Sequence, residues 1–312
     1  MSEVVEKPLE RGRDDAMRGF FFALSAYGMW GFLPLYMKLV SHVPAMEVVA
    51  HRVLWSVPVA AIILYVLGRT ADIRQAIRSP RTLLMAALTA AIISVNWGIY
   101  VWAIAVDRAV ETALGYYINP LVSIAMAALF LGERLNRYQI AAVCLAGLAV
   151  LILTTDAGGL PWVSLSLAFS FAAYGILRKT LPIGPSQGFF LEVMILALPA
   201  LGYLIWVAAS GASHFSLSSP GDVALLIGCG PVTAIPLILF AMGAKLLRYS
   251  TIGIMQYTAP TMIFLIAVFV FKEPFGGVKA VAFALIWAAL ALYSWSMLRE
   301  ARRAKRQGAP TG

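Results

Sequence analysis

The chain has 312 residues, 61% of them hydrophobic and 12% charged. Soluble domains are about half apolar and about a quarter charged, so this balance excludes one and indicates an integral membrane protein. The formal net charge of +9 sits mostly in short connecting segments, which makes it a signal of topology and attraction to anionic lipid; nucleic acid is not an expected partner.

A helix needs about 20 apolar residues to cross the hydrocarbon. After a tail at 1–17, ten such runs follow, at 18–40, 47–68, 82–105, 110–131, 138–155, 161–181, 188–210, 222–247, 251–271 and 278–298, and a basic tail occupies 299–312. The expected fold is all-α and polytopic, with ten transmembrane helices. The runs lack strand-type alternation, which excludes a β-barrel. The first run is too long for a signal-peptide core and has no small-residue cleavage site, so it reads as a mature helix. Cys144 and Cys229 fall in separate runs and read as packed thiols.

With the N-terminus inside, 19 of the 24 Lys and Arg residues lie in inside segments. That bias predicts cytoplasmic location of both termini. Five runs per half is an odd number, so a duplicated chain must carry its second half inverted. Residues 112–153 and 252–293 support duplication at an offset of 140, aligning Tyr117 with Tyr257, Pro120 with Pro260 and Glu133 with Glu273. Ala26-Tyr27-Gly28 recurs as Ala173-Tyr174-Gly175, and Pro58 matches Pro199. The first repeat is therefore 18–155 and the second 161–298. Inverted repeats place a substrate site where the halves meet, near the midplane.

A proline within a helix frees the carbonyl four residues earlier, and that group needs a partner, water or a cavity. Pro58, Pro120, Pro199 and Pro260 thus predict helix bends around a central cavity. Ionisable groups within spans are functional candidates by default. His51 and Glu192 occupy matching positions and are the candidates for proton coupling. His51 and Arg52 also lie within snorkelling reach of the outer interface, which is the alternative. Asn96, Trp97, Tyr100, Tyr116, Tyr117, Asn119, Gln256 and Tyr257 offer amides, phenols and aromatic walls suited to a small, partly apolar organic molecule. Interhelical hydrogen bonding is the competing account of the same amides and hydroxyls. Glu133 and Glu273 end apolar runs and read as structural locks, capping the next helix or pairing with nearby cations, Lys272 or Lys279 in the case of Glu273. No phosphate loop, zinc-protease, nucleophile-elbow or dinucleotide pattern is present, so neither enzyme activity nor a cofactor is expected.

Leu33-Pro34-Leu35-Tyr36, Val43-Pro44-Ala45 with Glu47, and His51-Arg52-Val53-Leu54-Trp55-Ser56 resemble the RarD branch of the EamA group, within the drug/metabolite transporter superfamily. Asn96-Trp97, Leu114 to Leu121, Leu131-Gly132-Glu133-Arg134-Leu135 and Leu165 to Ser170 extend the likeness over nearly the whole apolar region. The resemblance implies two inverted five-helix repeats, a bacterial inner-membrane location and a permease linked by name to chloramphenicol sensitivity. The expected function is secondary transport of a small organic metabolite or drug by alternating access. A non-transporting membrane scaffold or regulator is the contrasting expectation. Substrate, direction, coupling ion and oligomeric state are not written in the sequence.

Overall fold

In the computed structural model, residues 8–306 other than 67, 69, 133, 158 and 248 are described. They form helices α1 (Pro8–Leu39), α2 (Ala45–Val66), α3 (Ala71–Ile77), α4 (Pro80–Ala105), α5 (Ala109–Leu131) and α6 (Arg137–Ala157). The chain continues through α7 (Trp162–Thr180), α8 (Pro185–Ala209), α9 (Pro220–Leu246), α10 (Tyr249–Met255), α11 (Thr258–Leu265), a π-helical turn (Ile266–Val270) and α12 (Gly277–Arg306). Among the described residues, 8 helices are long and apolar enough to cross a membrane, and Trp162–Arg178 and Thr258–Val270 are shorter apolar helices.

The helix starts follow from local chemistry. Ser79 accepts from the Thr82 N–H at 3.3 Å while Pro80 opens α4. Proline is tolerated at a first turn because the N–H it lacks has no partner in the helix. Pro185 and Pro220 open α8 and α9 in the same way. The end of α5 is marked by Gly132 at φ 68°, a left-handed cap that glycine adopts without a side-chain clash.

The ninth apolar run departs from the expected single helix over 251–271. It breaks at Gln256 and Tyr257, and its last turn loosens into a π-helix closed by Phe271 N–H to Ile266 carbonyl at 2.9 Å. Pro260 explains the break. It becomes the third residue of α11, where its missing N–H costs no internal bond. Pro120, its repeat partner, lies inside the unbroken α5. The short α3 between the second and third runs is a further element that hydropathy did not signal.

Packing joins α1 to α9, α4 to α7, α5 to α7 and α1 to α11. It also joins α2 to both α8 and α9, α4 to α8, α5 to α11 and α6 to α12. Lipid is as apolar as leucine, so helices associate through close packing rather than through hydrophobic burial. Two glycines set the critical approaches. A Cβ on Gly230 of α9 would collide with the Trp55 carbonyl of α2, and one on Gly115 of α5 would collide with the Ser164 carbonyl of α7. Large apolar side chains such as Leu129, Phe130, Leu198 and Trp206 remain on the outward face, where lipid rather than water meets them.

Candidate functional site

The close contact at Gly230 brings α9 against the first turns of α2. There Arg52 is 4% exposed. Its Nε donates to Thr233 Oγ1 at 2.7 Å, and Thr233 in turn donates to the Cys229 carbonyl at 2.8 Å. The guanidinium lies over the Trp97 ring, 4.7 Å from its centroid. Tyr100, Tyr116 and Cys229 are close enough to interact with it electrostatically. Arg52 Nη1, Tyr100 hydroxyl and His51 Nε2 are buried without a hydrogen-bond partner. No carboxylate forms an ion pair with Arg52 among the described residues.

Three of the eight expected binding residues surround this cation, and a fourth, Asn96, braces them. Trp97 and Tyr100 come from α4 and Tyr116 from α5, with the Tyr100 and Tyr116 rings 6.0 Å apart. Asn96 supports them from behind. Its Nδ2 donates to the Leu167 carbonyl at 3.1 Å and to Ser170 Oγ at 2.8 Å, which spends the amide on α7. Its Oδ1 accepts from Tyr116 at 3.5 Å. Tyr117 and Tyr257 lie elsewhere, in a cleft of ≈ 370 Å³ lined also by Thr261, Trp287, Leu290, Ala291 and Ser294 and open at the surface. There the Tyr117 and Thr261 hydroxyls hydrogen-bond at 2.7 Å. Asn119 is half-buried and accepts from Ser123 Oγ at 3.5 Å. Gln256 is half-buried at the helix break.

The prolines divide similarly. Pro120 and Pro260 are buried, whereas Pro58 and Pro199 are exposed on the outer faces of α2 and α8. The second pair therefore does not line an interior cavity. It stands on the side of each helix that lipid covers.

All three histidines gather at one end of the bundle. His51, 3% exposed, stacks on Phe215 with centroids 4.8 Å apart. Trp55 Nε1 donates to its Nδ1 at 3.2 Å, so a neutral ring carries its proton on Nε2. His51 and Arg52 are both buried rather than extended to the surface as snorkelling required, His51 beneath Phe215 of the 210–219 connection and Arg52 against Thr233 of α9. Glu47 ties that connection down. Its carboxylate accepts from the His214 backbone N–H at 2.8 Å and from Ser213 Oγ at 3.3 Å, and His214 Nδ1 lies 2.8 Å away. His42 and Asp222 add a second tie at 3.0 Å.

Glu192, the expected counterpart of His51, is 1% exposed. Tyr174 donates to it at 3.1 Å, and Arg178 of α7 pairs with it at 3.4 Å. Glu273 is a lock with an unforeseen partner. Its two oxygens accept from the Ala109 and Val110 N–H groups at 2.6 and 2.8 Å, capping α5 of the other half rather than the next helix, and among the described residues it forms no ion pair with Lys272 or Lys279. Burial pushes its carboxyl above the ordinary value, against the pull of those two donors. Glu133 lies outside the described residues.

Thr233 and the Glu47–His214 tie were not singled out from the sequence, and Arg52 was named there only as a residue within snorkelling reach of the interface. The signal available for Arg52 was its charge within an apolar run. Its distance from the helix end drew it to the interface, and the covering by α9 has no local signature.

The EamA-like transporter family matches residues 17–155. Protein RarD of Streptomyces exfoliatus is 44% identical over 304 residues, covering 96% of both chains. An uncharacterized transporter of Bacillus subtilis strain 168, YojE, is 40% identical over 93% of this chain and 98% of its own. A crystal structure with 19% identity matches with TM-score 0.59 over 92% of this chain and 98% of that one, a likeness of fold. The apolar helices and the full-length relatives agree: the chain is a multi-pass membrane transporter and belongs to the RarD branch of the EamA-like transporter family.

Proposed function

We propose that the protein is a secondary permease of the bacterial inner membrane, with ten spans arranged as two inverted five-helix repeats and both termini in the cytoplasm. The observation that carries this reading is the packing pattern. Exchange α1 with α7, α2 with α8, α4 with α9, α5 with α11 and α6 with α12. The α1–α9 contact then becomes α4–α7, α5–α7 becomes α1–α11, and α2–α9 becomes α4–α8. The α2–α8, α5–α11 and α6–α12 contacts map onto themselves. The main packings are thus closed under this exchange, as a pseudo-two-fold axis in the membrane plane would make them.

Transport proceeds by rocking one half against the other around the Trp97, Tyr100 and Tyr116 cluster, which holds a small organic molecule with an apolar body. The histidine-bearing end faces outside, following the bias of Lys and Arg toward the opposite end. It is closed here by the 210–219 connection. Glu192 and His51 exchange the coupling proton. Protonating Glu192 releases Arg178 and loosens α7 from α8.

The test is a metabolite uptake and export screen in proteoliposomes under imposed pH and sodium gradients. Some solute moves under a gradient, and Tyr116→Phe and Asn96→Ala each slow it by about fivefold, the worth of one hydrogen bond. A protein that moves no solute under any gradient is a scaffold, and the reading falls.

A further inference from the structure

A guanidinium taken out of water and left without a counter-charge is among the costliest groups a fold can carry. Arginine stays protonated in proteins, so it cannot escape the cost by losing its proton. Arg52 is in this position. Its electrostatic neighbours are the Tyr100 and Tyr116 phenols and the Cys229 thiol, which are neutral near pH 7. Thr233 satisfies Nε and the Trp97 face takes part of the charge, yet Nη1 has no acceptor. The Tyr100 hydroxyl, 2% exposed as a residue, is also unpartnered. Two unmet donors within one buried, aromatic-walled cluster call for an acceptor, and the cluster's charge calls for an anion.

We propose that Arg52 docks the carboxylate of a monoanionic organic acid with an aromatic or aliphatic body. This deepens the transporter reading and rests on it for the substrate's passage. A planar carboxylate has the shape that the guanidinium fork and a neighbouring phenol recognise. The charge count favours it over a phosphate dianion, since one cation neutralises one negative charge and, among the described residues, no second Lys or Arg interacts with the group. Trp97, Tyr100, Tyr116 and Phe171, whose ring is 6.0 Å from that of Tyr116, supply walls for the apolar body. Ligand and Arg52 then enter the low-dielectric centre as a neutral pair. The site is sealed in the present conformation, so entry requires movement of the covering segments.

The test reads equilibrium binding. The purified full-length protein is titrated with phenylacetate, benzoate and hexanoate, with phenylacetamide as the neutral isostere and with chloride and inorganic phosphate as small anions; melting temperature and binding of labelled carboxylate are followed. At least one carboxylate binds and raises the melting temperature more than the amide or the inorganic anions do. Arg52→Met weakens that binding by about tenfold or more, and Tyr100→Phe by about fivefold. Arg52→Lys, which keeps the charge and loses the fork, falls between them. Without ligand, Arg52→Met melts at or above the wild type, because no internal ion pair is broken. Absence of any carboxylate-selective effect in the wild type overturns the proposal. So does unchanged binding in Arg52→Met, or a steep fall in its ligand-free melting temperature. Carboxylate-selective binding without movement of any solute overturns the transporter reading alone; flux indifferent to Arg52→Met overturns this assignment alone.

Discussion

Arg52 and Glu192 are each the eighth residue of the second long helix of a half, α2 and α8, and both are almost fully buried. Glu192 faces Arg178 and accepts from Tyr174. Arg52 faces a threonine hydroxyl, an indole and two phenols. One position thus holds a charge that the fold has answered, and the other a charge that it has not. An answered charge fastens helices together, here α7 to α8. An unanswered one is a standing cost to the resting protein, kept where something outside the chain can meet it. The duplication makes α2 and α8 equivalent helices and sets Glu192 opposite His51, one residue before Arg52; side-chain chemistry has given the two buried charges different work.

The strongest way to break this contrast is to leave Glu192 as unanswered as Arg52. Arg178→Ala removes its cation and is expected to lower stability by about 3 kcal/mol, since the remaining buried carboxylate has lost its partner. Thermal unfolding in detergent reads the effect, and an unshifted transition removes the distinction between the two charges. Gly230→Ala attacks the Arg52 side through the backbone. The added methyl meets the Trp55 carbonyl, forces α9 off α2 and costs about 2 kcal/mol by the usual penalty for overpacking. If that variant melts like the wild type, α2 and α9 can separate freely and Thr233 is not held against Arg52. The mildest change is Thr233→Val, which keeps the shape and deletes the acceptor of Arg52 Nε. It costs about 1 kcal/mol, and a larger fall in its melting temperature places more of the stability of Arg52 in that single bond than the contrast allows.

The spans were legible because hydropathy is a local property. Twenty apolar residues announce a helix wherever the chain goes afterwards. Pro120 and Pro260 were visible as a pair, but their different outcomes were not. Pro120 is carried within a continuous helix, whereas Pro260 begins a new one after a break at Gln256 and Tyr257. The sequence placed Trp97, Tyr100 and Tyr116 in reach of one another through their helical spacing and their adjacent spans. It marked Arg52 as a charge within an apolar run but not as part of that cluster, since the cover comes from α9, some 180 positions away. The same limit explains Pro58 and Pro199, whose helix faces are decided by neighbours. Glu273 was recognisable as a fastener from its place at the end of an apolar run, yet its partner lies 163 and 164 residues back in the chain.

That last bond bears on how the protein is made. The first two amides of α5 have no capping side chain of their own half, and Arg108 at the cap position contributes none. Glu273 supplies both acceptors, so the start of α5 stays chemically unfinished while the ribosome adds some 160 further residues. Nascent first halves therefore wait in the bilayer with an open helix end that only near-complete synthesis can close. A chain cut short before residue 273 lacks both acceptors, so the first amides of α5 would have to find their hydrogen bonds elsewhere.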